Sequence, residues 1–115
     1  MKKSTYTWQD EFPSNIIVCD KDGVILYMNK QAQKAYKKDG GAKLIGKNLL
    51  DCHPEPAKTK LKKLLHSGKT NSYTIEKNGI KKFIHQSPWF ENGKLKGLVE
   101  FGIEIPFDML HFKRS

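Results

Sequence analysis

The residues best suited to chemistry are Cys52 and His53, side by side in Asp51-Cys52-His53-Pro54-Glu55-Pro56, and His85 in Lys82-Phe83-Ile84-His85. A thiolate and an imidazole are good ligands for zinc or iron, and two prolines stiffen the loop that would present them. Adjacency works against such a site. Structural zinc motifs usually set ligands roughly two to four residues apart so that both converge, and no second spaced pair follows here. The plainer expectation is that Cys52 packs beneath the helix that follows, while His53 helps cap that helix or lies exposed. No Ser-His-Asp order, phosphate-cradling glycine loop or paired-carboxylate motif accompanies these groups, and Lys47-Asn48 after the single Gly46 is not a phosphate loop. The chain is therefore expected not to be an enzyme.

The scaffold for these residues begins with the stretch 16–36, IIVCDKDGVILYMNKQAQKAY. Two short apolar, β-branched runs flank a turn closed by Gly23, which reads as a hairpin. Asn29 follows where an N-cap is wanted, and Ala32, Ala35 and Tyr36 recur at the spacing of one helix face. Upstream, TWQDEF at 7–12 suits a short helical turn capped by Thr7 and stopped by Pro13. Downstream, KKDGG at 37–41 is a break and AKLIGKNLL at 42–50 supports one or two irregular helical turns. Pro54 and Pro56 forbid regular helix until Ala57, after which Ala57, Leu61, Leu64 and Leu65 form an apolar stripe that ends at Ser67-Gly68.

Length and charge bound the rest. A chain of 115 residues is one domain with one modest core. It carries 21 basic against 12 acidic residues, net +9, yet Arg occurs only at Arg114, so the excess reads as a solvated lysine surface and not as a nucleic-acid site. No stretch approaches the roughly 20 apolar residues of a membrane span, and the two N-terminal lysines have no apolar core behind them, so a cytoplasmic protein is expected. Cys19 lies inside a strand pattern and a reducing compartment would leave both cysteines free.

The last third reads as strand throughout, turned at Asn78-Gly79 and Asn92-Gly93. In the final run Leu95, Val99, Phe101, Ile103 and Ile105 share a face with Gly97, opposite Lys96, Glu100 and Glu104, which predicts the first set toward the core. If Asn92-Gly93 is a two-residue turn, Gln86 opposes Val99, His85 opposes Glu100 and Ile84 opposes Phe101. Ile84 and Gln86 then point inward with Val99 and Phe101, and His85 points outward. A one-residue bulge near Pro88 would exchange the roles of Gln86 and His85. The element order gives an α+β fold: a five-stranded antiparallel sheet with short helices and one longer helix on one face.

This order, with Asp22-Gly23, Asn29, Leu44-Ile45-Gly46-Lys47, Pro54, Gly68, Gly93 and Gly97 at their spacings, resembles a PAS domain over about 12–105. The Cys-His-Pro segment with Lys82-Phe83-Ile84-His85 is similar to a bacterial and archaeal subgroup, some members of which sit beside hemerythrin-like domains. The implied organisation is a flanking segment at 1–12, a PAS domain at 13–105 and a tail at 106–115. The implied function is a stand-alone sensory module that holds a small molecule between sheet and helices and signals through protein contacts. Ile84, Gln86, Val99, Phe101, Leu61, Leu65, Tyr36, Cys52 and His53 would line that pocket, with Gln86 orienting the ligand. The resemblance specifies no one ligand or cofactor. Covalent flavin chemistry is disfavoured, since the Asn and Arg that flank the flavin-bearing Cys of light-sensing members are missing around Cys52. The haem ligand of oxygen-sensing members falls at Leu61, which cannot bind iron. Haem or metal binding through Cys52 and His53, with or without His85, is one alternative, and a ligand-free dimerisation module is another. A homodimer is expected from the outer sheet face and from Trp8 and Phe12. Members usually continue through an Asp-Ile-Thr-like junction into an effector; here Glu104-Ile105-Pro106 stands in its place, so output is expected to pass to a separate protein, a second copy or a further region.

Overall fold

Asn29 is the residue around which the N-terminal half is tied together. In the computed structural model, which describes residues 6–115, strands β1 (Asn15–Asp20) and β2 (Ile25–Met28) form the expected hairpin and helix α1 spans Lys30–Ala35. Asn29 caps α1 by accepting the Ala32 N–H at 2.9 Å. The same oxygen accepts the Ile16 N–H of β1 at 3.1 Å, and the side-chain amide donates to the carbonyls of Ser14 at 2.8 Å and Phe12 at 3.3 Å. Those last two bonds anchor the turn around Trp8, whose ring meets Phe12 edge-on at 5.6 Å. That turn is also held by the Lys30 N–H to the Asp10 carbonyl at 3.0 Å and by the Tyr27 hydroxyl donating to the Asp10 carboxylate. Of the expected α1 face, Ala32 is buried but Ala35 is exposed.

Three 3-10 turns follow at Lys37–Asp39, Gly41–Leu44 and Leu49–Cys52. Helix α2 then runs Ala57–Ser67, starting where the prolines allow and ending on Gly68 in the left-handed region. Its first turn is satisfied by Glu55, whose carboxylate accepts from the Thr59 N–H at 3.0 Å and its hydroxyl at 2.6 Å. Leu61 and Leu65 are buried, whereas Ala57, at the head of the stripe, is exposed.

Strands β3 (Asn71–Lys77), β4 (Ile80–Glu91) and β5 (Lys94–Ile105) complete an antiparallel sheet in the order β2-β1-β5-β4-β3. Asn78 and Asn92 both have φ of 53°, and each Asn-Gly pair makes a two-residue hairpin turn. One core cluster joins Ile17, Ile25, Met28, Ala32 and Leu44; another joins Cys19, Leu61, Leu65 and Leu98. The helices therefore lie on the sheet face that carries Ile17, Cys19 and Leu98.

The register of β5 differs from the expectation. Phe90 opposes Leu95, but the next pair is Trp89 with Gly97, so Lys96 is an extra residue on β5. Gln86 consequently opposes Glu100, His85 opposes Phe101 and Ile84 opposes Gly102. The strand β4 keeps its predicted orientation, with Ile84 and Gln86 buried, while β5 is turned over. Val99 and Phe101 oppose Val18 and Ile16 on the face away from the helices, and Leu98 and Glu100 take the helix side. The cause lies at Gly97: a Cβ there would stand 1.9 Å from the Cys19 carbonyl oxygen. Only a glycine lets β1 come this close, and Trp89 closes the same spot by donating its indole N–H to that carbonyl at 2.9 Å.

Candidate functional site

Between the sheet and the helical segments lies a cavity of ≈ 530 Å³. Its apolar wall is built by Ile17, Ile25 and Met28 from the hairpin, Leu44 and Leu49 from the 3-10 turns, Leu61 from α2, and Ile75 and Ile84 from the sheet. The polar groups on the lining are Gln86, Glu100, Tyr36, Tyr73, Cys52, His53, Asp39 and Lys47. Such a surface, a hydrocarbon wall interrupted by placed polar groups, suits a small-molecule site.

The polar groups are ordered by a chain of hydrogen bonds across three strands. The Asn71 amide donates to the Gln86 oxygen at 2.9 Å, and the Gln86 amide donates to a Glu100 oxygen at 2.7 Å. Fixing both ends of Gln86 fixes which way its amide points, so its N–H is committed to the carboxylate. Two phenols also belong to this end of the cavity. Burial pushes the Tyr36 hydroxyl up to about 12, with the negative charge of Glu100 adding to the shift. Burial also raises Tyr73, again with a contribution from Glu100. Both rings therefore stay neutral near a carboxylate that repels their ionised forms.

Of the residues expected to line a pocket, the structure brings Ile84, Gln86, Leu61, Tyr36, Cys52 and His53 together on this cavity. Leu65 is instead packed in the core beneath α2 with Cys19 and Leu98. Val99 and Phe101 are on the opposite sheet face, because the extra residue at Lys96 turns β5 over. His85 shares that opposite face: it stacks on Phe83 at 5.8 Å and its Nδ1 lies 2.7 Å from the Ser72 hydroxyl, so it cannot join Cys52 and His53 on one metal. Cys52 is exposed and not packed into the core, with its thiol 3.8 Å from the Asn48 carbonyl. His53 does not cap α2; its Nδ1 pairs with the Leu49 carbonyl at 2.8 Å, at the close of the 3-10 turn before it. Among the described residues no group of three or more His, Cys, Asp or Glu side chains could hold a metal ion. Glu100, Tyr73 and Asn71 were not foreseen. Gly97 was the available signal, since a glycine inside a strand marks a bulge or a close backbone approach.

An outer groove of ≈ 670 Å³ adjoins the cavity between α2 and β3 and shares His53, Leu61, Tyr73 and Gln86 with it. Lys60, Lys63 and Lys69 line this groove and no acidic residue does.

Known proteins place this geometry. The family model described as PAS fold matches residues 10–105. A search of curated proteins finds no match. Among solved structures, the chain is similar to the PAS domain of an HTR-like protein from Haloarcula marismortui, at 14% identity and a TM-score of 0.61, over 85% of this chain and 86% of that one. The Aer2 receptor from Vibrio cholerae, described as a dual PAS-heme oxygen sensor, superposes at 18% identity and a TM-score of 0.61, over 81% and 95%. The VqmA dimer of Vibrio cholerae gives 16% identity and a TM-score of 0.66, over 87% of this chain and 49% of that one. Likeness at these identities is likeness of fold.

Proposed function

The chain belongs to the PAS fold family, and on that premise we propose that it is a sensory module that binds a small organic molecule between sheet and helices and passes the change on through protein contacts. The observation that carries this reading is the apolar ≈ 530 Å³ cavity with Gln86 locked between Asn71 and Glu100. A fixed hydrogen-bonding group in a hydrocarbon wall orients a ligand, and a ligand that orders the wall changes the sheet from which contacts are made. The test is protein-observed NMR against a fragment library. Binders are expected to shift the amides of Ile84, Gln86 and Glu100, and a library that leaves all three unmoved would sink the reading.

Haem is the alternative occupant. His53 is the imidazole on the lining, and its Nδ1 contact with the Leu49 carbonyl fixes the ring and leaves Nε2 for another partner, an arrangement common in metal-binding histidines. A Soret band that appears on adding haem and is lost in His53→Ala would select this occupant; a colourless protein would reject it.

Self-association is the route proposed for output. Val99, Phe101 and Ile103 put hydrocarbon on the outer sheet face, half-buried in a single chain, and Phe107, Met109, Leu110 and Phe112 of the tail are exposed. Sedimentation is expected to show a homodimer that Phe101→Glu dissociates, whereas a monomer at high micromolar concentration would exclude it. No helix among the described residues is long and apolar enough to cross a membrane, and a cytoplasmic place is part of the same proposal.

A further inference from the structure

Glu100 is the charged residue that the fold places against the cavity from the centre of the sheet, between β1 and β4. Its hydrogen-bond partner is a neutral amide, Gln86, and among the described residues no lysine, arginine or histidine lies within ion-pair distance of it. Asp39 and Lys47, the other carboxylate and ammonium side chains on the lining, are exposed and opposite in sign. The uncompensated charge of the cavity is therefore that of Glu100.

This arrangement discriminates among occupants. A ligand that fills an apolar cavity expels water from its walls, and a carboxylate that loses water without gaining a counter-charge is penalised. A neutral donor offsets only part of that penalty, and an anion adds repulsion to it. A cation removes it, and Tyr36 and Tyr73, which share the lining with Glu100, supply aromatic rings of the kind that also attract positive charge. Resting on the reading of the cavity as a ligand site, we propose that its ligand is an organic cation, an apolar body bearing a protonated amine or amidine that pairs with Glu100 between Tyr36 and Tyr73.

The lysines of the adjoining groove argue for the opposite sign at its mouth, which makes the sign of the preferred ligand a sharp measurement. The probes are three compounds of one shape: tryptamine, its alcohol analogue tryptophol and the anionic indole-3-propionate, with a shorter series of alkyl amines and the matching alcohols for size. Binding is followed by NMR shifts of Ile84, Gln86 and Glu100 in the full chain. Amines are expected to bind at least about tenfold more tightly than their alcohols, and Glu100→Gln is expected to abolish that preference while leaving alcohol binding in place. Alcohols or indole-3-propionate binding as well as the amines would overturn the proposal and keep the ligand site. A preference that survives Glu100→Gln would also overturn it. If neither amines nor alcohols of any size move the cavity amides, the ligand-site reading fails and the cation with it. The comparison within the wild-type chain stands even if the variant does not fold.

Discussion

Replacing Asn29 by Ala removes four hydrogen bonds from a side chain that is 1% exposed, and the cost follows from what each partner is left with. Losing the cap on Ala32 costs about 1 kcal/mol. The Ile16 N–H is buried, and an orphaned buried donor costs about 1–3 kcal/mol. The Ser14 and Phe12 carbonyls are partly buried and lose a donor each, a smaller penalty because water reaches them. The expected loss is about 3 kcal/mol, a large share of the roughly 5–15 kcal/mol that holds a domain together. With an m-value of about 1.5 kcal/mol per molar, the urea midpoint, followed by tryptophan fluorescence, should fall by about 2 M. Asn48→Ala is the internal control. Asn48 makes a similar pair of bonds, accepting from the Leu50 N–H and donating to the Asp22 carbonyl, but in a more exposed place, and should cost about 1 kcal/mol. Asn29→Asp keeps both acceptor bonds and turns an oxygen toward the Ser14 carbonyl, so it should fall between the two. If Asn29→Ala proved no worse than Asn48→Ala, burial would not be what makes this residue the hub.

Gly97→Ala should cost about 3 kcal/mol or more in urea unfolding, because the new Cβ meets the Cys19 carbonyl oxygen and Asp20 Cα and β1 must move off β5; a near-neutral result would refute that contact. A thiol reagent should modify Cys52 in the native protein and Cys19 only after unfolding, since Cys19 is buried and its thiol is pushed up to about 11; two equivalents released without denaturant would contradict this. Tyr36 and Tyr27 are each raised from 10.0 to about 12, Tyr27 by burial and by its bond to Asp10, so both should ionise late in a phenolate titration. The folded state holds these protons more tightly than the unfolded chain, so their stabilisation is fully present below about pH 10 and is lost as pH rises toward about 12. Tyr36→Phe should flatten that decline, and unchanged alkaline stability would argue against the raised phenol.

Signal transfer in this reading runs through two features that share Cys19. Its side chain packs with Leu61, Leu65 and Leu98 under α2, and its carbonyl receives Trp89 from the far side of β5. A ligand that shifts Leu61 therefore presses on the strand pairing that sets the outer face. Interfaces and packed cores respond to such small shifts because few alternative packings exist.

A few neighbouring residues are enough to decide much of the local structure. The Asn78-Gly79 and Asn92-Gly93 turns, the Asn29 cap, the start of α2 after Pro56 and its end at Gly68 all depend on local backbone geometry, and all are where the residues place them. Strand alternation is equally local, so Val99, Phe101, Ile103 and Ile105 are on one face as expected, whereas Leu95, ahead of the extra residue, falls on the other. Which face meets the helices is another matter. Alternation divides a strand into two sides without saying what covers either, and a single inserted residue at Lys96 reversed them. That insertion is fixed by the approach of Cys19 and Asp20, far away in sequence, to a Gly97 without a side chain. Glu100 could not be read as a cavity residue for the same reason. A charge in an alternating strand is normally solvent-facing, and only the packing of β1 and α2 against Leu98 turned this carboxylate inward, beside Gln86, where it bears on the choice of ligand.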